Sequence, residues 1–370
     1  MKLLAWGTFD LGKPRLRLLL EGLRENGIEV DTCNVAVWSG IEDKSQVTGA
    51  SRVLRIFWQV ITAYPRLLFR FLRKDDFDAV LLGYPGLLDI LVLWSFARIR
   101  RKPLILDAFI SVYNTVVEDR EMLSRINPLR GILFAIEWLS LRAADIVVTD
   151  TRAHAEYFSD RYSVAPEKFI VAEVGAEAGF STRAPREPRK DAAPVVLFYG
   201  QFIPLHGIDT IVRAAARAEG LVFRIIGVGQ EHARMRKLAA DLGCESIQWV
   251  DWVDYEQLPD EIHAADVCLG IFGLTEKAAR VIPNKVFQIV ACGRPLVTAD
   301  TPPVREFLAE APHVRLVPAG DEAALVNAVT ELLGSEASDP AAEIVNALAA
   351  RTRPEYTARE LAERLELIAR

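Results

Sequence analysis

Along this chain, short apolar runs alternate with longer stretches whose apolar positions recur every three or four residues. The short runs are "KLLAWG", "IEVDTCN", "AVLLGY", "PLILDAF", "DIVVTD" and "FIVAEV" in the first half. The second half holds "PVVLFYG", "VFRIIG", "SIQWVDW", "VCLGIF", "PLVTAD" and "VRLVPAG". Several are apolar almost throughout, with no polar alternation, which predicts parallel strands covered on both faces. Between them, "GIDTIVRAAARAEG" and "QEHARMRKLAADLG" have helical spacing, the latter closed by Gly243 as a C-terminal cap. Strand–helix alternation on this scale predicts a doubly wound α/β fold, and here it occurs twice.

The two sets are separated by "GAEAGFSTRAPREPRKDAAP", which is rich in Ala, Pro and charge and poor in large apolar residues. We expect one Rossmann-like domain over residues 1–180, a linker over 181–193, and a second Rossmann-like domain over 194–350. The amphipathic tail 351–370 has no strand after it, so it is expected to dock back on the first domain. A length of 370 residues suits two cores better than one. Two such domains facing across a cleft would bind ligands beyond the carboxyl ends of their strands. The loops that follow strands are therefore where chemistry is expected.

Bulk composition narrows the function classes. A net charge of −6 argues against a nucleic-acid partner. Cys33, Cys244, Cys268 and Cys292 are scattered without metal-ligand spacing, as expected of reduced thiols in a cytoplasmic protein. No metal site is expected. The N-terminal apolar run is too short for a signal peptide, and the longest apolar stretches are interrupted by Asp89, Glu137 and Arg142. One segment stands out: residues 51–74 carry five Arg, one Lys and no acid among Phe, Trp, Tyr and Leu. Such a helix is suited to peripheral contact with anionic lipid at the inner face of the cytoplasmic membrane.

The loops of the second half concentrate cations and glycines. In "VCLGIFGLTEKAARVIPNK" a strand gives way to a helix near Asn284, with Pro283 or Asn284 at its start. The free N–H groups of that first turn favour an anion, and Lys277, Arg280 and Lys285 add charge of the right sign for a diphosphate. In "FYGQFIPLHGID", Gly200 and Gly207 allow a tight turn and a close backbone approach, and His206 stands where it could donate to phosphate. "IIGVGQEHA" contributes Gly227 from a Gly-x-Gly turn, too little for a nicotinamide-binding fingerprint. Backbone near Trp252 is placed to meet a nucleobase, with a core position for the Trp as the alternative.

These segments, with "DWVDYEQLPDEIHAADVCLGIF" and "KAARVIPNKVFQIVACGRPLVTAD", resemble the donor domain of GT-B glycosyltransferases of the family-four-like group. The resemblance implies a nucleotide-diphosphate sugar as donor, a saccharide or lipid-linked acceptor held by the first domain, and no cofactor. It also exposes departures. The Glu that in many members binds the ribose hydroxyls is here Gln288, and an earlier Glu that contacts the sugar is Arg280. The usual Arg and Lys of the first donor-domain loop fall on Gln201 and His206. Phosphate recognition is therefore expected at Lys277, Arg280 and Lys285, with Asn284 at the helix start and Gln288 facing the sugar.

In the first domain, Asp107 closes a buried strand and is the candidate base for the acceptor hydroxyl, with Asp10 as the fallback. Gly7 and Gly12 flank the loop after the first strand, and Glu118 and Asp119 are expected on the acceptor side. Asp76-Phe77-Asp78 spells a DxD pattern but leads into a strand, at the end of the sheet away from ligands. The reading is a metal-independent glycosyltransferase, plausibly of surface polysaccharide synthesis. A nucleotide-sugar 2-epimerase and a catalytically degenerate nucleotide-binding member are the alternatives.

Overall fold

The computed structural model describes residues 1–35, 37, 50–119, 122–124, 126–183, 192–308, 311–334 and 342–369; side chains of 50–57, 119 and 369 are outside the description. The chain divides into two compact units, Met1–Val174 with Pro354–Arg370, and Gly175–Arg353.

The first unit runs β1 (Lys2–Gly7), α1 (Pro14–Glu25), β2 (Glu29–Asn34), α2 (Ala50–Arg73), β3 (Ala79–Leu82), α3 (Leu87–Ile99) and β4 (Leu104–Phe109). A π-helical turn, Asn114–Asp119, leads to α4 (Leu129–Ala143), β5 (Ile146–Thr149), α5 (Arg152–Tyr162) and β6 (Phe169–Val171). All strand pairs are parallel, in the order β2-β1-β3-β4-β5-β6. β3 and β5 are buried along their whole length, as apolar runs covered on both faces must be. On one face α2, α3, α4 and α5 pack a single core around Leu67, Phe71, Leu93, Leu141 and Phe158.

The second unit runs β7 (Val195–Tyr199), α6 (Ile208–Arg217), β8 (Val222–Ile226), α7 (His232–Asp241), β9 (Ile247–Val250) and α8 (Leu258–Ala264). It continues through β10 (Val267–Leu269), α9 (Asn284–Ala291), β11 (Leu296–Ala299), α10 (Pro302–Leu308), β12 (Val314–Val317), α11 (Glu322–Gly334) and α12 (Ala342–Arg351). Its strand order is β12-β11-β10-β7-β8-β9, the doubly wound order 3-2-1-4-5-6 read from the other edge. The order reverses between β7 and β10, which pair directly through Val196 and Val267. A crevice opens at such a point because the two connections leave toward opposite faces.

α13 (Pro354–Thr357) and α14 (Arg359–Ala369) return to the first unit. They cover its other face: Leu361, Ala362 and Leu365 join Leu16, Leu19, Leu20 and Leu23 of α1 in one core. Contact is close enough that a Cβ on Gly22 would sit 2.0 Å from the Pro354 carbonyl oxygen. Asn26 Nδ2 donates to the Glu355 carbonyl at 2.8 Å.

The division between units falls before Gly175 rather than at 180. Ala176 N–H bonds to the Thr352 carbonyl at 2.8 Å, and His263 Nε2 meets the Ser181 carbonyl at 3.0 Å. The start of the expected linker, Ser181–Arg183, is thus exposed chain bonded to the second unit, while 184–191 lie outside the described residues. Among the described residues no helix is long and apolar enough to cross a membrane.

Candidate nucleotide-sugar site

The loops after β7, β8 and β10 meet where the strand order of the second unit reverses, and glycine lets their backbones touch. Gly227 has φ +137°, and a Cβ there would lie 2.0 Å from the Gly200 carbonyl oxygen. Gly207 has φ +61°, and its Cβ would meet the Phe272 backbone at 2.4 Å. Neither position tolerates a side chain on steric or conformational grounds. Gly227→Ala is expected to cost about 2 kcal/mol or more, read as a lower urea midpoint at unchanged slope.

α9 begins beside this crevice. Pro283 occupies the capping position with Asn284 as the first helical residue, and no side chain caps the helix. Pro cannot cap because it carries no side-chain acceptor; Val286 N–H turns back to the Pro283 carbonyl at 2.9 Å, and the N–H groups of Asn284 and Lys285 precede it in the first turn. Lys285, one residue further, is 6% exposed, and its Nζ has no hydrogen-bond partner. The ammonium sits 3.7 Å from the centroid of the Phe198 ring, beside Gly200. Burial pushes its pKa well below the ordinary lysine value. A buried cation held only by an aromatic face is poised for an anion.

His206 lies next to it, buried, with its ring edge-on to Phe198 and its Nδ1 on the Gln201 carbonyl. A carbonyl only accepts, so Nδ1 carries the hydrogen and Nε2 of the neutral ring is an acceptor. Burial first, then the Lys285 charge, hold the His206 pKa well below its ordinary value. In the free protein His206 is neutral, and donation from Nε2 to a phosphate requires taking up a proton.

Two expected contacts turn out differently. Arg280 is bound to its own loop: Nε donates to the Glu276 carbonyl at 3.0 Å and Nη2 to its carboxylate at 3.0 Å. Gln288 is bonded at both ends of its amide. The Tyr199 hydroxyl, kept protonated by burial, donates to Oε1 at 2.9 Å, and Nε2 donates to the Tyr255 hydroxyl at 2.8 Å. That second bond turns the Tyr255 O–H toward Glu177, which accepts it at 2.8 Å. A carboxylate at 288 could only accept, so the amide sets the direction of this chain. Lys277 is buried at the start of the 3-10 turn Ala278–Arg280, Gln201 is exposed, and Trp252 is 65% exposed beyond β9.

In the first unit the candidate base is overturned. Asp107 is fully buried, and its Oδ1 accepts from Arg15 Nε at 3.1 Å and Nη2 at 2.8 Å. Burial pushes its pKa up and the Arg15 guanidinium opposes the rise. Arg15 also donates to the Ala172 carbonyl and lies over the Phe109 ring. A carboxylate locked to a guanidinium with no exposed surface cannot reach an acceptor. Asp10 is only partly buried, its Oδ1 accepting the Gly12 N–H at 2.9 Å. Gly7 leaves room for Asp89, whose carboxylate takes the Thr8 N–H at 2.8 Å and the Tyr64 hydroxyl at 2.9 Å. Glu118 is bonded to Asn114, Tyr157 and Arg161, and the Asp119 side chain lies outside the described residues. Two further buried groups escaped sequence reasoning, Arg15 itself and the Asp150–His154 pair at 2.5 Å. Among the described residues no three His, Cys, Asp or Glu side chains are grouped to hold a metal.

Residues 193–335 match the family model described as glycosyl transferases group 1. That match falls within the second unit. Among curated relatives, the lipopolysaccharide core biosynthesis glycosyltransferase LpsE of Rhizobium meliloti is 23% identical over 193 residues, 52% of this chain and 55% of its own length. A D-inositol 3-phosphate glycosyltransferase of Acidothermus cellulolyticus is 31% identical over 52% of this chain and 46% of its own. The chain thus spans about half the length of these relatives. Among solved structures, Anabaena HepE in complex with UDP aligns over 99% of both chains with a TM-score of 0.67 at 13% identity. The outer core galactosyltransferase WaaB aligns over 99% of both with a TM-score of 0.62 at 12%. That likeness establishes the GT-B fold, two Rossmann-like units in one chain. Within the second unit, the structure brings Gly200, His206, Gly207, Gly227 and Lys285 together where the loops after β7, β8 and β10 meet, and sets Arg280 and Gln288 into bonds of their own.

Proposed function

We propose that the protein is a glycosyltransferase that moves a sugar from a nucleoside-diphosphate sugar to a hydroxyl acceptor, without a metal or cofactor. One observation carries this: a buried, unpartnered Lys285 ammonium at an uncapped helix start, where the strand order reverses. Amides aimed at the departing diphosphate, with a desolvated cation beside them, stabilise the charge that develops as the glycosidic bond breaks. Trp252 and Tyr255 are exposed on the same unit and offer faces for the base and ribose. Asp10 is the candidate base in place of Asp107.

The acceptor in this reading is a lipid-linked saccharide of surface polysaccharide synthesis, reached at the inner face of the cytoplasmic membrane with α2 in contact with lipid. The names of the lipopolysaccharide relative and of a 29%-identical putative colanic acid transferase of Escherichia coli support that direction. The relatives named here are transferases, and the epimerase alternative finds no support among them.

Thermal shift with UDP, GDP and ADP tests the site. A rise in Tm with at least one of them is expected, because a ligand that binds only the native state stabilises it. No shift with any would remove the proposal. Donor hydrolysis or transfer separates an enzyme from a degenerate binder, which would bind nucleotide and turn over nothing. Asp10→Asn should then lower kcat with little change in nucleotide affinity.

A further inference from the structure

The helices α2, α3 and α4 lie side by side over one face of the first sheet, joined by the Tyr64–Asp89 bond and by Ser140 Oγ donating to the Leu87 carbonyl at 2.9 Å. Their outward sides are apolar to an unusual degree. α2 exposes Trp58, Phe69 and Leu72; α3 exposes Trp94 and Ile99, the latter at 80%; α4 exposes Ile132 and Leu139. Soluble surfaces seldom gather so many large apolar side chains on neighbouring elements without a partner for them.

Charge on this face has one sign. α3 and α4 each contain a single acid, Asp89 and Glu137, and both are turned inward, 2% and 1% exposed. Asp89 serves Thr8 and Tyr64, and Glu137 accepts from Ser111, Val112 and Tyr162. α2 contains no acid at all. The exposed ionic groups described on the three helices are therefore arginines. On each helix one arginine lies over the aromatic ring four residues before it: Arg73 over Phe69 at 4.3 Å, Arg98 over Trp94 at 6.0 Å, and Arg142 over Trp138 at 4.6 Å. Arg98 also pairs with Asp145 at 2.9 Å, at the rim of the face. An aromatic ring with a guanidinium above it suits the headgroup level of a bilayer, the ring toward acyl chains and the cation toward phosphate.

We propose that this three-helix surface seats the first unit on an anionic lipid leaflet, which deepens the reading of α2 given above and rests on it. The occupant is a leaflet rather than a protein because the arrangement repeats on parallel helices and offers acceptors no matching donors beyond arginine. Lipid phosphates supply the complementary charge over the whole area.

The test is sedimentation of the full chain with vesicles of phosphatidylcholine, alone or mixed equally with phosphatidylglycerol. Binding to the mixed vesicles is expected to be at least about tenfold tighter and to weaken with salt. Three double variants, Phe69→Ser/Arg73→Glu on α2, Trp94→Ser/Ile99→Ser on α3 and Ile132→Ser/Arg142→Glu on α4, should each reduce it severalfold while circular dichroism and Tm report an intact fold. If only the α2 variant matters, the three-helix surface is overturned and the α2 reading stands. Equal binding to both vesicle types overturns the charge argument. If the wild type ignores both, or self-associates through this face, both lipid readings fall; nucleotide binding on the same samples shows separately whether the donor reading survives.

Discussion

Replacing Lys285 by Met is expected to do two opposite things. Nucleoside diphosphate affinity should fall about 100-fold, roughly 2.7 kcal/mol, because a desolvated charge-assisted contact is lost. The free protein should become more stable, by about 1–3 kcal/mol, because a buried ammonium with no counter-charge is replaced by an apolar chain of similar length. Isothermal titration and urea unfolding of the same sample read both. A stability loss together with unchanged affinity would place the lysine in a purely structural role.

The pH dependence follows with a definite sign. In the free site burial lowers the pKa of Lys285, and burial with the Lys285 charge lowers that of His206. The other charged groups of the neighbouring loop are Lys277 and Arg280, the latter neutralised by Glu276. A bound diphosphate favours the protonated form of both Lys285 and His206, so the complex holds more protons than the free protein. Affinity should therefore fall as pH rises between their lowered free-state pKa values and their ordinary ones. Titration in buffers of different ionisation enthalpy should register proton uptake, and Lys285→Met should lose its part of it.

The second large effect is expected in the first unit. Arg15→Met should cost about 3–5 kcal/mol, since it strands the fully buried Asp107 carboxylate without its cation. Lowering the pH should relieve part of that cost, as the stranded carboxyl takes up a proton. The double variant Arg15→Met/Asp107→Leu should recover most of the loss, an apolar pair filling the volume of the ionic one. Asp107→Asn should retain transfer per folded molecule. A collapse of kcat in a folded Asp107→Asn enzyme would restore Asp107 as the base.

The contrast between these sites shows what a linear reading can reach. Strands such as β3, β5 and β11 were legible because a strand buried on both faces must be apolar at almost every position, and local composition alone carries that signal. The glycines after β7 and β8 were legible for a similar reason, since a turn leaving a strand must be tight. Lys285 was visible as a cation at a helix start. That it is buried, and that nothing bonds to it, depends on Phe198 and Gly200, more than eighty positions earlier. Asp107 and Gln288 were misread for the same physical reason: Arg15 lies 92 residues from the one, Tyr199 89 from the other. Arg280 is the instructive exception. Glu276 stands four residues before it, the spacing of neighbouring side chains on a helix, so that pairing could have been read directly from the sequence.

The return of α13 and α14 to α1 reverses the order in which the molecule can be completed. Every residue of the second unit precedes Pro354, so the first unit gains the layer beneath Leu16 and Leu20 only from chain made after the second unit. Until α13 and α14 are made, the first unit lacks one of the two layers that cover its sheet.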